Sequence, residues 1–200
     1  MTPDAPDTES LPEGATPLDE DETEGLIPPH ISTQGELNAW EQANILRAHE
    51  WLHSRRRTSP VLDVGFLREL HKRMFSDTWE WAGQFRHTGK NIGVAPELIP
   101  EQTQVLLDDV RYWLDHETYS LAEIAARFHH RLTAIHPFPN GNGRHARLMT
   151  DALLRQHDAA PFSWGSTSLD GESVTRRAYI AALQAADAGD YAPLVSFVGS

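Results

Sequence analysis

The residues best suited to chemistry stand together in one run, His136-Pro137-Phe138-Pro139-Asn140-Gly141-Asn142-Gly143-Arg144-His145-Ala146-Arg147. Pro137 and Pro139 disfavour the helical region for the residues before them, which holds the chain extended. Gly141 and Gly143 open backbone conformations closed to other residues, so that successive N–H groups can turn into one concavity. A helix beginning at Gly143 adds the positive end of its dipole, and the product is an anion site suited to phosphate. Arg144 and Arg147 lie three residues apart and bring two guanidinium forks to one side. Two forks suit a polyphosphate better than a lone carboxylate. His136 stands at the entrance and can take a proton from a hydroxyl near neutral pH. These types and spacings point to transfer of a phosphate-containing group from a nucleotide to a hydroxyl.

Such a run needs helices on both sides to hold it. Upstream, Leu121 to Leu132 places Ile124, Ala125, Phe128 and Leu132 at helical spacing. Downstream, a helix is expected from about Gly143 to His157. Earlier helices are expected over Glu36 to Arg55 with Leu37, Trp40, Ile45, Leu46 and Trp51 as its apolar positions, after a cap at Asp63 with Phe66, Leu67, Leu70 and Met74 on one face, and from about Pro100 with Val105, Leu106, Val110 and Trp113. Two more follow, around Glu172 to Ala188 and Ala192 to Val198. Between the second and third, the helical pattern fails: Gly83, Gly89 and Gly93 punctuate two short extended runs around His87-Thr88-Gly89-Lys90, which predicts a β-hairpin at about Phe85 to Val94. The fold class is all-α, a helical bundle with one hairpin.

Composition narrows the classes. The 200 residues hold no cysteine, which excludes disulfide scaffolds, zinc ribbons and cysteine nucleophiles. The net charge of −12 argues against a binder that neutralises nucleic-acid phosphates. Residues 1–25 hold nine acids and no Lys or Arg, so 17 bases face 20 acids in the remainder. Residues 1–29 are read as a disordered acidic arm, too poor in apolar residues to offset the entropy of ordering, and 30–200 as the folded domain. There is no signal peptide and no apolar run of about 18 residues, so a cytoplasmic chain without membrane contact is expected. His129 and His130 point to different sides of a helix and make no zinc site with His136. Arg55-Arg56-Arg57 reads as a helix end that satisfies carbonyls and dipole.

The run from His136 to Arg147 resembles the signature of Fic (Fido) domains. From about Ile31 onward the chain is similar to the subfamily called mobile mystery protein B, including Trp40-Glu41-Gln42-Ala43-Asn44-Ile45 and Lys90-Asn91-Ile92-Gly93-Val94. The resemblance implies transfer of AMP from ATP to a Ser, Thr or Tyr hydroxyl of a target protein. It makes His136 the general base and Phe138 the anchor of the loop. Gly141, Asn142 and Gly143 become the phosphate cradle, with Arg144 and Arg147 on the β- and γ-phosphates. The hairpin becomes a flap that docks a target segment through Lys90, Asn91, Ile92 and Gly93, a mode in which main-chain hydrogen bonds supply register. Where the family has an acid that holds Mg²⁺, this chain has Asn140, whose amide oxygen is a weak ligand. Ser32-Thr33-Gln34-Gly35-Glu36 is similar to the family's inhibitory motif, which makes Ser32 and Glu36 inhibitory residues and Glu36 a partner for Arg147. Thr33 and Glu36 also form a capping box for the first helix. A helix-turn-helix partner protein is implied as well. Two alternatives stay open: AMP removal or another transfer from the same site, and a nucleotide-binding regulatory protein.

Overall fold

The computed structural model describes residues 25–31, 33–165 and 174–199. Ser32, most of the acidic arm and the expected start of the helix near Glu172 lie outside them. The described residues form α1 (Gln34–Ser54), α2 (Val64–Phe75), a 3-10 turn (Pro96–Leu98), α3 (Ile99–Asp115), α4 (Leu121–Ile135), α5 (Asn142–Gln156), α6 (Val174–Asp187) and α7 (Ala192–Val198).

Local chemistry explains where these helices start. Thr33 accepts from the Glu36 N–H at 3.2 Å and the Glu36 carboxylate accepts from the Thr33 N–H at 3.0 Å, a complete capping box. Asp63 accepts from the Phe66 N–H at 2.9 Å and Ser120 from the Glu123 N–H at 3.2 Å, each answering an amide that the first helical turn leaves unpaired.

α5 packs between α4 and α2, and α4 packs on α3. Phe66, Leu67, Leu70, Met74, Leu106, Leu107, Val110, Phe128, Phe138, Met149 and Leu153 fill the core they enclose. A smaller core forms where Ala126 of α4 meets Ala182, Ala186, Leu194 and Val198 of α6 and α7. The face of α1 turned inward carries Glu41, Asn44, Ile45, Ala48 and Leu52, whereas Trp40 and Leu46, expected on the apolar face, are exposed.

The expected hairpin is not a ladder. Among the described residues the strand pairing is a single bridge, Leu26 to Trp79, and the segment Gln84 to Val94 has no strand. Its ends pair instead with the end of α4 and the loop after it: the Arg86 N–H donates to the Pro137 carbonyl at 3.0 Å and the Val94 N–H to the Ile135 carbonyl at 3.3 Å. Residues 25–29, placed in the arm by the sequence reading, carry packing contacts. The Ile27 N–H donates to the Thr78 carbonyl and the Glu80 N–H to the Gly25 carbonyl, both at 2.9 Å.

Candidate active site

α4 ends on His136, which adopts a left-handed conformation at φ 54° and donates its backbone N–H to the Leu132 carbonyl. The loop then turns inward at Phe138, which is fully buried. Its ring stacks on His71 at 3.7 Å and meets His145 edge-on at 5.0 Å. Asn142 closes the loop: its Oδ1 accepts from the Phe138 N–H at 2.9 Å and its Nδ2 donates to the Phe138 carbonyl at 2.8 Å. The Asn142 side chain therefore serves the loop, and its contribution to a phosphate cradle is its backbone. Gly141 caps α5 at φ 75°, and a Cβ there would lie 2.4 Å from the Phe75 ring, so glycine is required. Gly143 is an ordinary helical residue, one past the start of α5 at Asn142. A Cβ on it would come within 4.0 Å of Arg147 Nη1, which places that guanidinium over the first turn of the helix.

A second histidine fixes the loop from below. The Gly83 N–H donates to His71 Nδ1 at 3.0 Å, so the ring proton must reside on Nε2, which donates to the Asn140 carbonyl at 3.1 Å. Burial above all, with His145 and Arg144 nearby, holds the His71 pKa well below its ordinary value, so the ring stays neutral.

His136 is only 7% exposed. Burial pushes its pKa down to about 4, with the cations Arg86 and Lys90 adding to the fall and a hydrogen bond to the Thr133 carbonyl opposing it. At neutral pH the ring is uncharged. With one nitrogen donating to Thr133, the other is an acceptor, the form a base needs. The flap thus reaches His136: Lys90 lies close enough to bear on its charge, and a Cβ on Gly93 would come 2.7 Å from the His136 Cβ. Asn91 and Ile92 are exposed at its tip.

The two motif arginines turn toward different helices. Arg144 lies over the Phe75 ring at 5.0 Å and donates through Nη1 to Glu41 Oε2 at 2.7 Å. Glu41 is 3% exposed, and its other oxygen accepts from Trp79 Nε1 at 2.7 Å. Arg147 hydrogen-bonds Tyr179 of α6 and lowers the pKa of buried His129. From α1, Glu41 reaches Arg144, and Glu36 closes the cap of the same helix. Glu41 had a signal in sequence: a lone acid in register with Ile45, Ala48 and Leu52. His71, Phe75 and Tyr179 had none, since their roles depend on contacts across the fold.

Among the described residues, the side chains do not by themselves build a magnesium site. Asn140 Oδ1 accepts from the Gly141 N–H at 2.6 Å, turned onto its own helix end. Among the described residues, no group of three His, Asp or Glu side chains could hold a metal.

Comparison with known proteins gives the family and the fold. The Fic/DOC family profile matches residues 61–154. The probable protein adenylyltransferase y4lH of Sinorhizobium fredii is 31% identical over 177 residues, 84% of this chain and 85% of that protein. Protein adenylyltransferase fic-1 of Caenorhabditis elegans is 33% identical over 142 residues, 68% of this chain, and the match spans only 26% of that longer relative. The solved Fic-1 fragment from C. elegans superposes with a TM-score of 0.66 at 27% identity, covering 88% of this chain and 51% of that one. The fold also matches Bartonella tribocorum BepC, solved with bound AMPPNP, at a TM-score of 0.68 and 19% identity over 90% and 97% of the two chains. With the family profile matched over residues 61–154 and a relative 31% identical across most of both chains, the chain belongs to the Fic/DOC family.

Proposed function

We propose that the protein transfers AMP from ATP to a Ser, Thr or Tyr hydroxyl of a target protein or of itself. The observation that carries this reading is His136, buried, neutral and fixed in a left-handed turn beside the N-terminus of α5. His136 takes the hydroxyl proton, and the hydroxyl oxygen bonds to the α-phosphorus. The bond from that phosphorus to the bridging oxygen then breaks, and pyrophosphate leaves. The backbone of Gly141, Asn142 and Gly143 receives phosphate oxygens at the positive helix end, and Arg144 and Arg147 take the β- and γ-phosphates. A target segment docks along the flap at Lys90 to Gly93. Magnesium would accompany ATP on its phosphates and waters, with Asn140 a weak ligand at most, and no step is assigned to it. By the family likeness Glu36 restrains the site from the start of α1.

α-labelled ATP is expected to label protein while γ-labelled ATP is not, and His136→Ala should reduce α-labelling by about 100-fold or more. Label from the γ-position, or unchanged labelling in His136→Ala, overturns the reading. A second reading, a nucleotide-binding regulatory protein that works with a helix-turn-helix partner, draws on the neutral Asn140 folded back onto Gly141. ATP binding without α-label in the wild type and in Glu36→Gly would favour it.

A further inference from the structure

Arg86 is a long, charged side chain left only 2% exposed at the root of the flap. Burying a guanidinium is costly unless its donors are met, and Arg86 meets them with carbonyls drawn from two separate segments. Its Nε donates to the His136 carbonyl at 2.7 Å, while its backbone N–H donates to the next carbonyl, that of Pro137, at 3.0 Å. On the other side Nη1 donates to the Thr88 carbonyl at 2.7 Å and Nη2 to the Val94 carbonyl. Thr88 and Val94 bracket the flap tip, so this one residue, by its fork and its backbone N–H, ties both arms of the flap to two consecutive peptides of the loop that carries His136. Gly93 closes the same joint at φ 104°, where a Cβ would come 2.7 Å from both Arg86 Nη2 and the His136 Cβ.

The joint matters because His136 stands in a conformation that non-glycine residues avoid, and such a conformation persists only where its surroundings over-determine it. A charge-assisted bond on the His136 carbonyl is roughly twice as strong as a neutral one, and it supplies that constraint. Lysine would keep the charge but not the flat fork that reaches several carbonyls at once.

We propose that Arg86 is a positioning residue that couples the target-docking flap to His136, so that a segment docked on the flap presents its hydroxyl at a fixed place relative to the base. The proposal rests on the reading of the site as an adenylyltransferase. Arg86 touches neither nucleotide nor acceptor, and its effect is on kcat.

The full-length protein is compared with Arg86→Lys and with Gly93→Ala, which disturbs the joint from the flap side. ATP binding is followed by calorimetry, α-label transfer by the ATP dependence of its rate, and amide hydrogen exchange at 87–94 and 136–138. In both variants ATP affinity and KM should stay within about threefold of wild type while kcat falls by about tenfold or more, as misplacement of a reacting group by about 1 Å does. Exchange should quicken in both segments together. A kcat within about twofold of wild type in Arg86→Lys, or a loss explained wholly by weaker ATP binding, overturns the proposal. So does faster exchange at 87–94 with 136–138 unchanged. A wild type that binds ATP but transfers no label defeats the adenylyltransferase reading instead, and the exchange pattern then decides the coupling alone.

Discussion

Arg144 is held in place before it could serve a phosphate, because Glu41 offers it a carboxylate desolvated against Trp79. Glu41 cannot lose this partner cheaply: a carboxylate that is 3% exposed depends on its ion pair and its hydrogen bonds. The arginine, 25% exposed, has more freedom. Its further donors can turn to a phosphate while Nη1 stays on Glu41. Glu41 is therefore read as a holder of Arg144. Glu41→Gln should cost about 1–3 kcal/mol of stability, less than for a fully buried pair because water can reach the guanidinium. ATP affinity should fall by about three- to tenfold as Arg144 loses its orientation. Thermal unfolding and calorimetry check the two effects. Tighter ATP binding in Glu41→Gln would mean instead that Glu41 competes with phosphate for Arg144.

At the scale of elements, α1 is the helix on which the structural and regulatory readings meet. Its capping box is complete, so Thr33→Ala and Glu36→Gly should each lower stability by about 1 kcal/mol. Only Glu36→Gly removes the acid that the family likeness assigns to inhibition. Labelling is expected to rise in Glu36→Gly and to stay level in Thr33→Ala; equal labelling in the two, at equal stability, reduces Glu36 to a cap. Most helices were legible because caps and spacing are local: Asp63 and Ser120 sit where the first-turn amides need an acceptor. The candidate loop from His136 to Gly143 was legible because its parts are contiguous. The flap was not, because the bonds that shape it come from the Arg86 side chain and from carbonyls at 135–137 rather than from a facing strand. The inner face of α1 was misjudged for a related reason. Glu41 and Asn44 are buried by partners at Trp79 and Thr78, more than 30 residues away; register with Ile45, Ala48 and Leu52 marks Glu41 as inward-facing but does not name the partner that buries it.

Across the whole molecule, the bundle buries histidines in neutral form, and this ties its stability to pH. Burial pushes His129 down to about 3 and both His136 and His145 to about 4, and it lowers His71 as well. The unfolded chain titrates these groups near 6.5, so below that pH it binds protons that the folded state refuses. Each histidine then contributes stability that is fully present above about pH 6.5 and is lost as the pH falls toward 4. Asp151 works the other way: burial raises its pKa to about 6, so folding is favoured as it protonates below that value. One carboxyl does not offset four imidazoles, so the balance is a net loss of stability as the pH falls from 6.5 to 4.5. The urea midpoint of unfolding should therefore fall steadily between pH 6.5 and 4.5, and more steeply in Asp151→Asn, which removes the opposing group. A flat midpoint across that window would show that these rings are not held neutral. The same shift bears on the proposed transfer: with the His136 pKa at about 4, the ring stays unprotonated until the fold itself weakens. On the acid side, α-label transfer should follow the folded fraction measured at each pH, with no separate inflection near 6.5.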